Sequence, residues 1–287
     1  MPTAGSNPGR ASWTCHAWRR LNVDETLRAR LSERTLRAER VAREAGGIVR
    51  ERYGHPGDIR AKDGRELVTA ADRESERLIT DAVRERFPGD GIVAEESSPE
   101  DSSSGAVWII DPLDGTNNFA HGYPFFSIAI ACEVDGVVAS GVVYDPLRGE
   151  LFLAERGKGA YLNGVAISVS PESELRETIV ATGFPYDRSE TTVNNLANLN
   201  RLVLGVRGVR RGGSAELDLV YVACGRLDGF WELGLKTWDV SAGGLIVLEA
   251  GGTVTNVGSA SWDHRRGDIV ATNGRIHAAM HELIRPE

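Results

Sequence analysis

Apolar residues recur at helical spacing in several segments of the chain. Those in the segment 24–53 share one face, which predicts one long amphipathic helix there. Thr69 and Asp72 have the spacing of a capping box, so a second helix is expected to begin there and to end near residue 87. Further helices are predicted over residues 191–202, 214–223, 237–250 and 276–284.

Short apolar or alternating runs predict strands between these helices, and two of the connections, Asp63-Gly64 and Asp135-Gly136, have the composition of hairpin turns. The predicted strands are 59–62, 66–69, 92–94, 108–111, 124–134, 136–144, 150–154, 159–162, 178–182, 206–209, 229–233, 253–256 and 269–271. Helices and strands alternate without a repeat, which indicates layered α/β packing. We expect an N-terminal extension over residues 1–23 and two halves, 24–175 and 176–287, of which the second completes the site.

Composition narrows the class of protein. The 287 residues are 41% hydrophobic and 26% charged, as in an ordinary globular protein, and their net charge of −8 argues against bulk binding to nucleic acid or anionic membranes. No apolar run reaches the roughly 20 residues that a membrane span needs, and residues 1–20 lack the apolar core of a secretory signal. Cys15, Cys132 and Cys224 are too far apart for a disulfide framework, with the last two expected in the core. A cytoplasmic location is expected.

The segment 108–110 reads as a short buried strand that leads into a group of oxygen donors. Pro112 cannot donate to a sheet, so the strand is expected to end there. Asp111, the carbonyl of Leu113 and Asp114 then offer three oxygen ligands within four residues, which suits a hard divalent cation such as Mg²⁺.

The residues that follow have two interpretations. Gly115 and Thr116 present backbone N–H groups where a helix could begin, a favourable place for phosphate. Alternatively, Asp111 and Asp114 simply cap that helix in a polar turn. These residues alone leave both interpretations open.

Five carboxylates lie at the ends of predicted elements: Asp72, Glu95, Asp111, Asp114 and Asp239. A single such residue is usually a cap or a solvated charge. If the strands are neighbours, however, the carboxylates converge, and like charges that close call for a neutralising cation. Carboxylates without a histidine cluster favour Mg²⁺ or Mn²⁺, and two such ions roughly 4 Å apart can support phosphoryl transfer.

Other catalytic motifs have little support. No Walker A or dinucleotide-binding glycine motif occurs, since Gly157-Lys158-Gly159 lacks the required partners and is expected to be a turn. Ser214 does not lie in a nucleophile elbow, so serine hydrolase chemistry is not indicated.

Three motifs together resemble the inositol monophosphatase family. They are Asp111-Pro112-Leu113-Asp114-Gly115-Thr116-Asn117-Asn118-Phe119, Glu95-Glu96-Ser97 and Trp238-Asp239-Val240-Ser241-Ala242-Gly243. The likeness extends from about residue 24 to the C-terminus. It implies an αβαβα sandwich of the inositol monophosphatase and fructose-1,6-bisphosphatase type, Mg²⁺-dependent phosphomonoesterase activity, inhibition by Li⁺ and a homodimer.

The resemblance also implies the ion ligands. The first Mg²⁺ would be held by Glu95, Asp111 and the carbonyl of Leu113, and the second by Asp111, Asp114 and Asp239. A third, weaker ion would lie near Glu95, and Mn²⁺ could replace Mg²⁺.

Catalytic and substrate contacts follow from the same resemblance. Thr116 and Asp72 match the pair that orients the attacking water, with Glu95 as the third catalytic residue. The N–H groups of Gly115 and Thr116 would receive the phosphate. The residues expected to contact the remainder of the substrate are Asp114, Gly213, Ser214, Ala215, Glu232 and Asp239. An exposed structural charge is the alternative interpretation of Glu232.

Three further features bear on which substrate the protein selects. Lys236 differs from some family members, and the Ser-rich loop 97–105 is longer than in some. Arg207, Arg210 and Arg211 could steer an anionic substrate, although a solvated basic face is slightly favoured.

The predicted function is hydrolysis of myo-inositol 1-phosphate, a small phosphate ester. One alternative keeps the chemistry and changes the ester to fructose 1,6-bisphosphate, histidinol phosphate or adenosine 3′,5′-bisphosphate. The other is a scaffold that binds protein or RNA. Membrane binding is not expected, and nucleic-acid binding is disfavoured by the net charge.

Overall fold

The computed structural model describes residues 25–55, 57, 59–63 and 66–285. Within these ranges the helices are α1 (Glu25–Arg28), α2 (Glu33–Arg52), α3 (Ala70–Arg86), α4 (Thr116–Ala120), α5 (Leu196–Leu202), α6 (Ala215–Ala223), α7 (Ser241–Glu249) and α8 (His277–Leu283). The strands are β1 (Arg60–Asp63), β2 (Glu66–Val68), β3 (Gly91–Ala94), β4 (Ala106–Asp114), β5 (Ser127–Val134), β6 (Val137–Asp145), β7 (Glu150–Glu155), β8 (Ala160–Leu162), β9 (Val165–Ala166), β10 (Ile179–Thr182), β11 (Gly208–Arg210), β12 (Gly229–Leu233), β13 (Thr253–Thr255) and β14 (Asp268–Thr272). The predicted extension 1–23 and Cys15 lie outside the described residues.

One sheet has seven strands, in the order β3-β4-β5-β6-β7-β8-β9. β3 and β4 are parallel, and the remaining neighbours are antiparallel. Successive side chains of a strand point to opposite faces, so Trp108 and Ile110 pack with α2 and α3, whereas Ile109 packs with α6 and α7. Cys132 and Cys224 are buried, as predicted.

A five-stranded sheet, ordered β11-β10-β12-β14-β13, lies on the other side of α6 and α7. Phe230 and Ala271 face these two helices, whereas Trp231 and Val270 face α5 and α8. The layers are therefore helices, sheet, helices, sheet and helices, which confirms the predicted αβαβα class. Because α6 and α7 pack on both sheets, residues before and after position 175 share one core.

Tertiary contacts interrupt two of the predicted helices. The helix expected over 24–53 is wrong as a single element, because Ser32 caps the start of α2 with its hydroxyl and donates its N–H to Glu155 of β7. The helix expected over 237–250 is also wrong. Its first turn is a 3₁₀ turn, Thr237–Asp239, and α7 begins only at Ser241.

The remaining elements follow the predictions closely. The predicted hairpin before α3 is present as β1 and β2, and α3 starts with the Thr69–Asp72 capping box. The helix expected over 191–202 is shorter, because α5 begins only at Leu196. Among the described residues, none of the helices combines the length and apolar character that crossing a bilayer requires.

Candidate active site

β4 continues through Pro112 instead of ending there, which corrects the sequence-based expectation. Asp111 lies opposite Ala129 and Asp114 lies opposite Ser127, so β4 has one more residue than β5 in this interval. This irregularity is a β-bulge, where a proline can be accommodated because one residue is left out of the ladder. The bulge places both aspartates at the carboxyl end of one strand.

Local hydrogen bonds hold the bulge between the two aspartates. Asp111 Oδ1 accepts a hydrogen bond from the N–H of Leu113 at 3.0 Å, and the Leu113 carbonyl oxygen lies 2.9 Å from Thr116 Oγ1. Asp111 is only 2% exposed. Burial, together with the charges of Glu95 and Asp114, raises its pKa well above the ordinary value.

Asp114 is a helix cap, but of α6 and not of the helix that follows it. Its carboxylate accepts hydrogen bonds from Ala215 N–H (3.1 Å), Glu216 N–H (2.9 Å), Ser127 Oγ (3.2 Å) and Ser214 Oγ. Burial raises its pKa, and these donors oppose the shift. Three of the four contacts fall on Oδ2 and one on Oδ1, and the residue also lines the pocket. The expectation that Asp111 and Asp114 cap the helix that follows them is therefore wrong, because α4 has no side-chain cap and Asp114 caps α6.

Gly115 begins α4 in the left-handed conformation, at φ +94°. A Cβ there would lie 3.1 Å from the carbonyl oxygen of Phe125 and 3.2 Å from that of Gly213. Glycine adopts this conformation without strain and leaves room for these two carbonyls. The turn consequently brings the backbone of Gly115 and Thr116 to the wall of the pocket.

Thr116 and Asp72 are joined directly although 44 positions separate them. Thr116 Oγ1 donates to Asp72 Oδ1 at 2.8 Å, and Asp72 Oδ2 accepts from the N–H and the hydroxyl of Thr69 at 2.8 and 2.5 Å. Burial raises the pKa of Asp72, and its hydrogen bonds oppose that shift. The α3 capping box thus supports the pair that the sequence predicts.

The parallel pairing of β3 and β4 sets Ala94 opposite Ile110, and so brings Glu95 to the same edge as Asp111. Lys62 on β1 contacts Glu95 Oε1 at 3.2 Å and Glu96 Oε1 at 2.9 Å. Burial raises the pKa of Glu95 to about 8, with Lys62 opposing the shift. The sequence interpretation missed Lys62, although its position in a predicted hairpin strand was a signal.

Asp239 ends the 3₁₀ turn that precedes α7. Its Oδ2 accepts a hydrogen bond from the N–H of Lys236 at 2.6 Å. Burial raises the pKa of Asp239 to about 8, and the charges of Asp114 and Glu232 add to the effect. His264 was not anticipated: its Nδ1 lies 2.7 Å from Thr237 Oγ1 and supports this turn.

One pocket collects most of the predicted residues. It is lined by Glu66, Glu95, Asp111, Leu113, Asp114, Gly115, Thr116, Gly183, Phe184, Pro185, Tyr186, Arg211, Gly213, Ala215, Glu232, Gly234, Leu235, Lys236, Trp238 and Asp239. Two predicted residues lie behind the lining instead, with Asp72 beneath Thr116 and Ser214 beneath Asp114.

The carboxylate oxygens of the pocket are suitable ligands for divalent cations, but their side chains are not arranged in a metal-binding geometry. Within the described ranges, no three His, Cys, Asp or Glu side chains are arranged to hold a metal. Lys62 occupies one side of Glu95, and Asp114 is bound to α6. The raised pKa values nevertheless show that these buried carboxylates have too little positive charge around them. Carboxylate oxygens are the hard ligands that Mg²⁺ prefers, so a divalent cation would supply the missing charge.

The substrate side of the pocket carries Glu232 and Arg211. Glu232 lies against Gly183. A Cβ added to Gly183 would lie 2.0 Å from Oε1 of Glu232. Burial raises the pKa of Glu232 to about 8, and Arg211 opposes the shift. Arg207 and Arg210 are exposed, as the solvated-face interpretation expects, but Arg211 also lines the pocket.

Comparison with known proteins agrees with this geometry. The chain matches the model of the "Inositol monophosphatase family" over residues 30–287. It is 43% identical to "Nus factor SuhB" of Haemophilus influenzae over 252 residues, which cover 87% of this chain and 94% of that protein. The inositol monophosphatase structure from Anabaena (Nostoc) sp. PCC 7120 is 42% identical, with a TM-score of 0.80 and coverage of 88% and 96%.

A second solved structure is the extragenic suppressor protein suhB from Bartonella henselae, which is 38% identical with a TM-score of 0.83. The alignment covers 88% of this chain and 98% of that one. The family model spans the elements that carry every carboxylate of the pocket. The chain belongs to the inositol monophosphatase family.

Proposed function

We propose that this protein is a Mg²⁺-dependent phosphomonoesterase that hydrolyses myo-inositol 1-phosphate. The observation that carries the proposal is the convergence of Glu95, Asp111, Asp114 and Asp239 in one pocket beside Thr116. These carboxylates come from three separate segments of the chain, and their charges raise one another's pKa values.

Each carboxylate has a role in this proposal. Glu95, Asp111 and the Leu113 carbonyl would hold the first Mg²⁺, and Asp111, Asp114 and Asp239 would hold the second. When bound, the ions polarise the attacking water and neutralise charge on the phosphate and the leaving oxygen. A third ion near Glu95 would have to displace the contact with Lys62. Mn²⁺ is expected to replace Mg²⁺ because it takes the same ligands.

Thr116 and Asp72 orient the water. With the Thr116 proton donated to Asp72, Oγ1 keeps lone pairs that can accept a hydrogen bond from water, and Thr116 lines the pocket. Glu95 lies at the same edge of the sheet and completes the catalytic set. The N–H groups of Gly115 and Thr116 contact the phosphate, and a water thus positioned attacks phosphorus in line with the departing alkoxide.

The remaining wall of the pocket binds the polyol. Glu232 and the backbone of Gly213 and Ala215 offer acceptors and donors for ring hydroxyls, while Ser214 acts through Asp114. Arg211 supplies positive charge beside Glu232. We further propose a homodimer in the cytoplasm that is inhibited by Li⁺, as expected for this family.

A panel of phosphate esters tests the substrate. Purified protein is assayed with inositol 1-phosphate, fructose 1,6-bisphosphate, histidinol phosphate and adenosine 3′,5′-bisphosphate at millimolar Mg²⁺, with and without Li⁺. We expect the highest kcat/KM for inositol 1-phosphate. A preference of more than about tenfold, roughly 1.4 kcal/mol, for another ester would replace it as the assigned substrate.

A second candidate is a scaffold that binds protein or RNA. The name "Nus factor" borne by relatives 41–43% identical to this chain favours it. The net charge of −8 argues against non-specific RNA binding, so such a role would need a local surface. Absence of phosphate release from every ester, combined with salt-resistant retention of a defined RNA or protein, would support the scaffold over the enzyme.

A further inference from the structure

Glu216 is a fully buried carboxylate that joins the starts of two helices. It is the second residue of α6, and its side chain is 0% exposed. Its Oε1 accepts the N–H of Ala242 at 3.2 Å and its Oε2 accepts the N–H of Gly243 at 2.5 Å, both in the first turn of α7. Its own N–H donates to Asp114 Oδ2 at 2.9 Å.

These contacts form a continuous link between Asp114 and the segment that carries Asp239. The first N–H groups of a helix have no partner within that helix, so a side chain from elsewhere must satisfy them. Asp114 does this for α6 and Glu216 does it for α7. Asp239 lies two residues before α7 begins.

The packing at this point is tight. A Cβ on Gly243 would lie 2.5 Å from Glu216 Oε2 and 2.6 Å from Leu219 Cβ. The two helices therefore meet through glycine, and α7 cannot approach α6 more closely or slide past it without losing the hydrogen bonds. The position of α7 is consequently fixed relative to Asp114.

The buried carboxylate at this position has both a cost and a function. Burying a carboxylate is costly unless its charge is well compensated, and the charged groups that act on Glu216, Asp114 and Asp239, are themselves acidic. A hydrophobic side chain would avoid that cost but would leave the N–H groups of Ala242 and Gly243 without these acceptors. The carboxylate instead provides two acceptors at a defined distance from Asp114.

We propose that Glu216 is a positioning residue that fixes the separation of Asp114 and Asp239 and thereby sets the affinity for the second cation. The inference rests on the proposed function in that it assigns these two aspartates to the same ion. Partners that orient metal ligands typically change affinity by 10- to 100-fold when they are removed.

The test is Mn²⁺ binding to the full-length Glu216→Gln protein without substrate, by calorimetry and by electron paramagnetic resonance of the bound ion. A glutamine amide can accept only one of the two N–H groups. We expect the dissociation constant of one ion to rise about tenfold, while that of the other stays within twofold. Glu216→Asp, which keeps the charge but is too short to reach α7, is expected to weaken the same ion.

Asp218→Asn is the matched control. Asp218 is a buried carboxylate on the same helix, but it accepts from Gly212 N–H and faces Arg211. Both Mn²⁺ constants should be unchanged in this variant. Asp239→Asn identifies the affected ion: it should abolish that binding, and adding Glu216→Gln to it should have no further effect.

Three results would overturn the inference. In Glu216→Gln, they are Mn²⁺ dissociation constants within twofold of wild type, or an equal loss of affinity for both ions. The third is a wild-type protein that binds only one Mn²⁺ ion. Because the measurement needs no turnover, selective weakening in a protein that hydrolyses no ester would support the inference and refute the proposed function.

Discussion

Asp114 differs from Asp111 in what it does for the folded chain, although both carboxylates line the same pocket. Asp114 receives four hydrogen bonds from β5 and the start of α6. Asp111 receives one, from Leu113, within the described residues. The two side chains should therefore have the same importance for catalysis and different importance for stability.

We expect Asp114→Asn and Asp111→Asn each to lower kcat at least about 100-fold, because each removes a charged ligand. Asp114→Asn should also destabilise the protein by about 1–3 kcal/mol, since an amide NH₂ would face backbone N–H groups. Asp111→Asn should leave the metal-free protein as stable as wild type or more so, because it removes a buried charge. Urea unfolding in EDTA, beside phosphate-release assays, measures both effects.

Equal stability of the two variants would contradict the capping role of Asp114. Near-wild-type turnover by either variant would contradict the two-ion account.

The prediction for Glu232 concerns binding of the substrate hydroxyls. The carboxylate lines the pocket next to Gly183 and Arg211. We expect Glu232→Gln to raise KM for inositol 1-phosphate about tenfold while changing kcat less than threefold, because an amide is a weaker acceptor for hydroxyls. Steady-state kinetics with a small aryl phosphate, which lacks those hydroxyls, is the control. Unchanged kinetics with both esters would make Glu232 a structural residue.

Among the elements, the start of α3 connects helix stability to catalysis. Thr69 caps the helix and donates to Asp72, which in turn receives the proton of Thr116. A local capping motif, recognisable in the sequence, therefore also holds the pair that we propose to be catalytic, whose second member lies on α4.

Thr69→Ala should cost about 1 kcal/mol of stability, the usual effect of losing an N-cap, and should also lower kcat. The second effect arises because Asp72 loses a hydrogen bond and no longer orients Thr116. Thr69→Ser keeps the oxygen and is expected to preserve both properties. Thermal unfolding and kinetics of the two variants provide the measurement, and a Thr69→Ala protein with normal kcat would separate the cap from the catalytic pair.

At the scale of the whole molecule, the main feature is a pocket in which several buried carboxyl groups lack enough positive charge around them. Burial raises the pKa values of Glu95, Asp239 and Glu232 to about 8, whereas unfolded carboxyls titrate near 4. The folded protein thus binds these protons more tightly than the unfolded chain. Their contribution to stability is full below about pH 4 and is lost as the pH rises through 8.

We therefore expect the metal-free protein to melt at a progressively lower temperature between pH 7 and 8.5. His264 and His277, whose pKa values burial lowers, act in the opposite sense but are neutral in both states over this range. Mg²⁺ should abolish most of the decline, because it binds the ionised carboxylates. Melting curves in EDTA and in Mg²⁺ measure this, and a constant or rising melting temperature in EDTA would contradict it.

The sequence by itself determined the layered class, most strands, the α3 capping box and the five carboxylates at element ends. These follow from local rules: side-chain periodicity, capping chemistry and oxygen donors where strands finish. Family resemblance added a role for each carboxylate.

Only the tertiary structure decided how those residues are held. Ser32 breaks the first helix because Glu155 comes from a distant strand, and β4 passes Pro112 because β5 accommodates a bulge. The link from Asp114 through Glu216 to α7 joins segments more than 100 residues apart. Such contacts depend on which elements become neighbours, which no periodicity along the chain encodes.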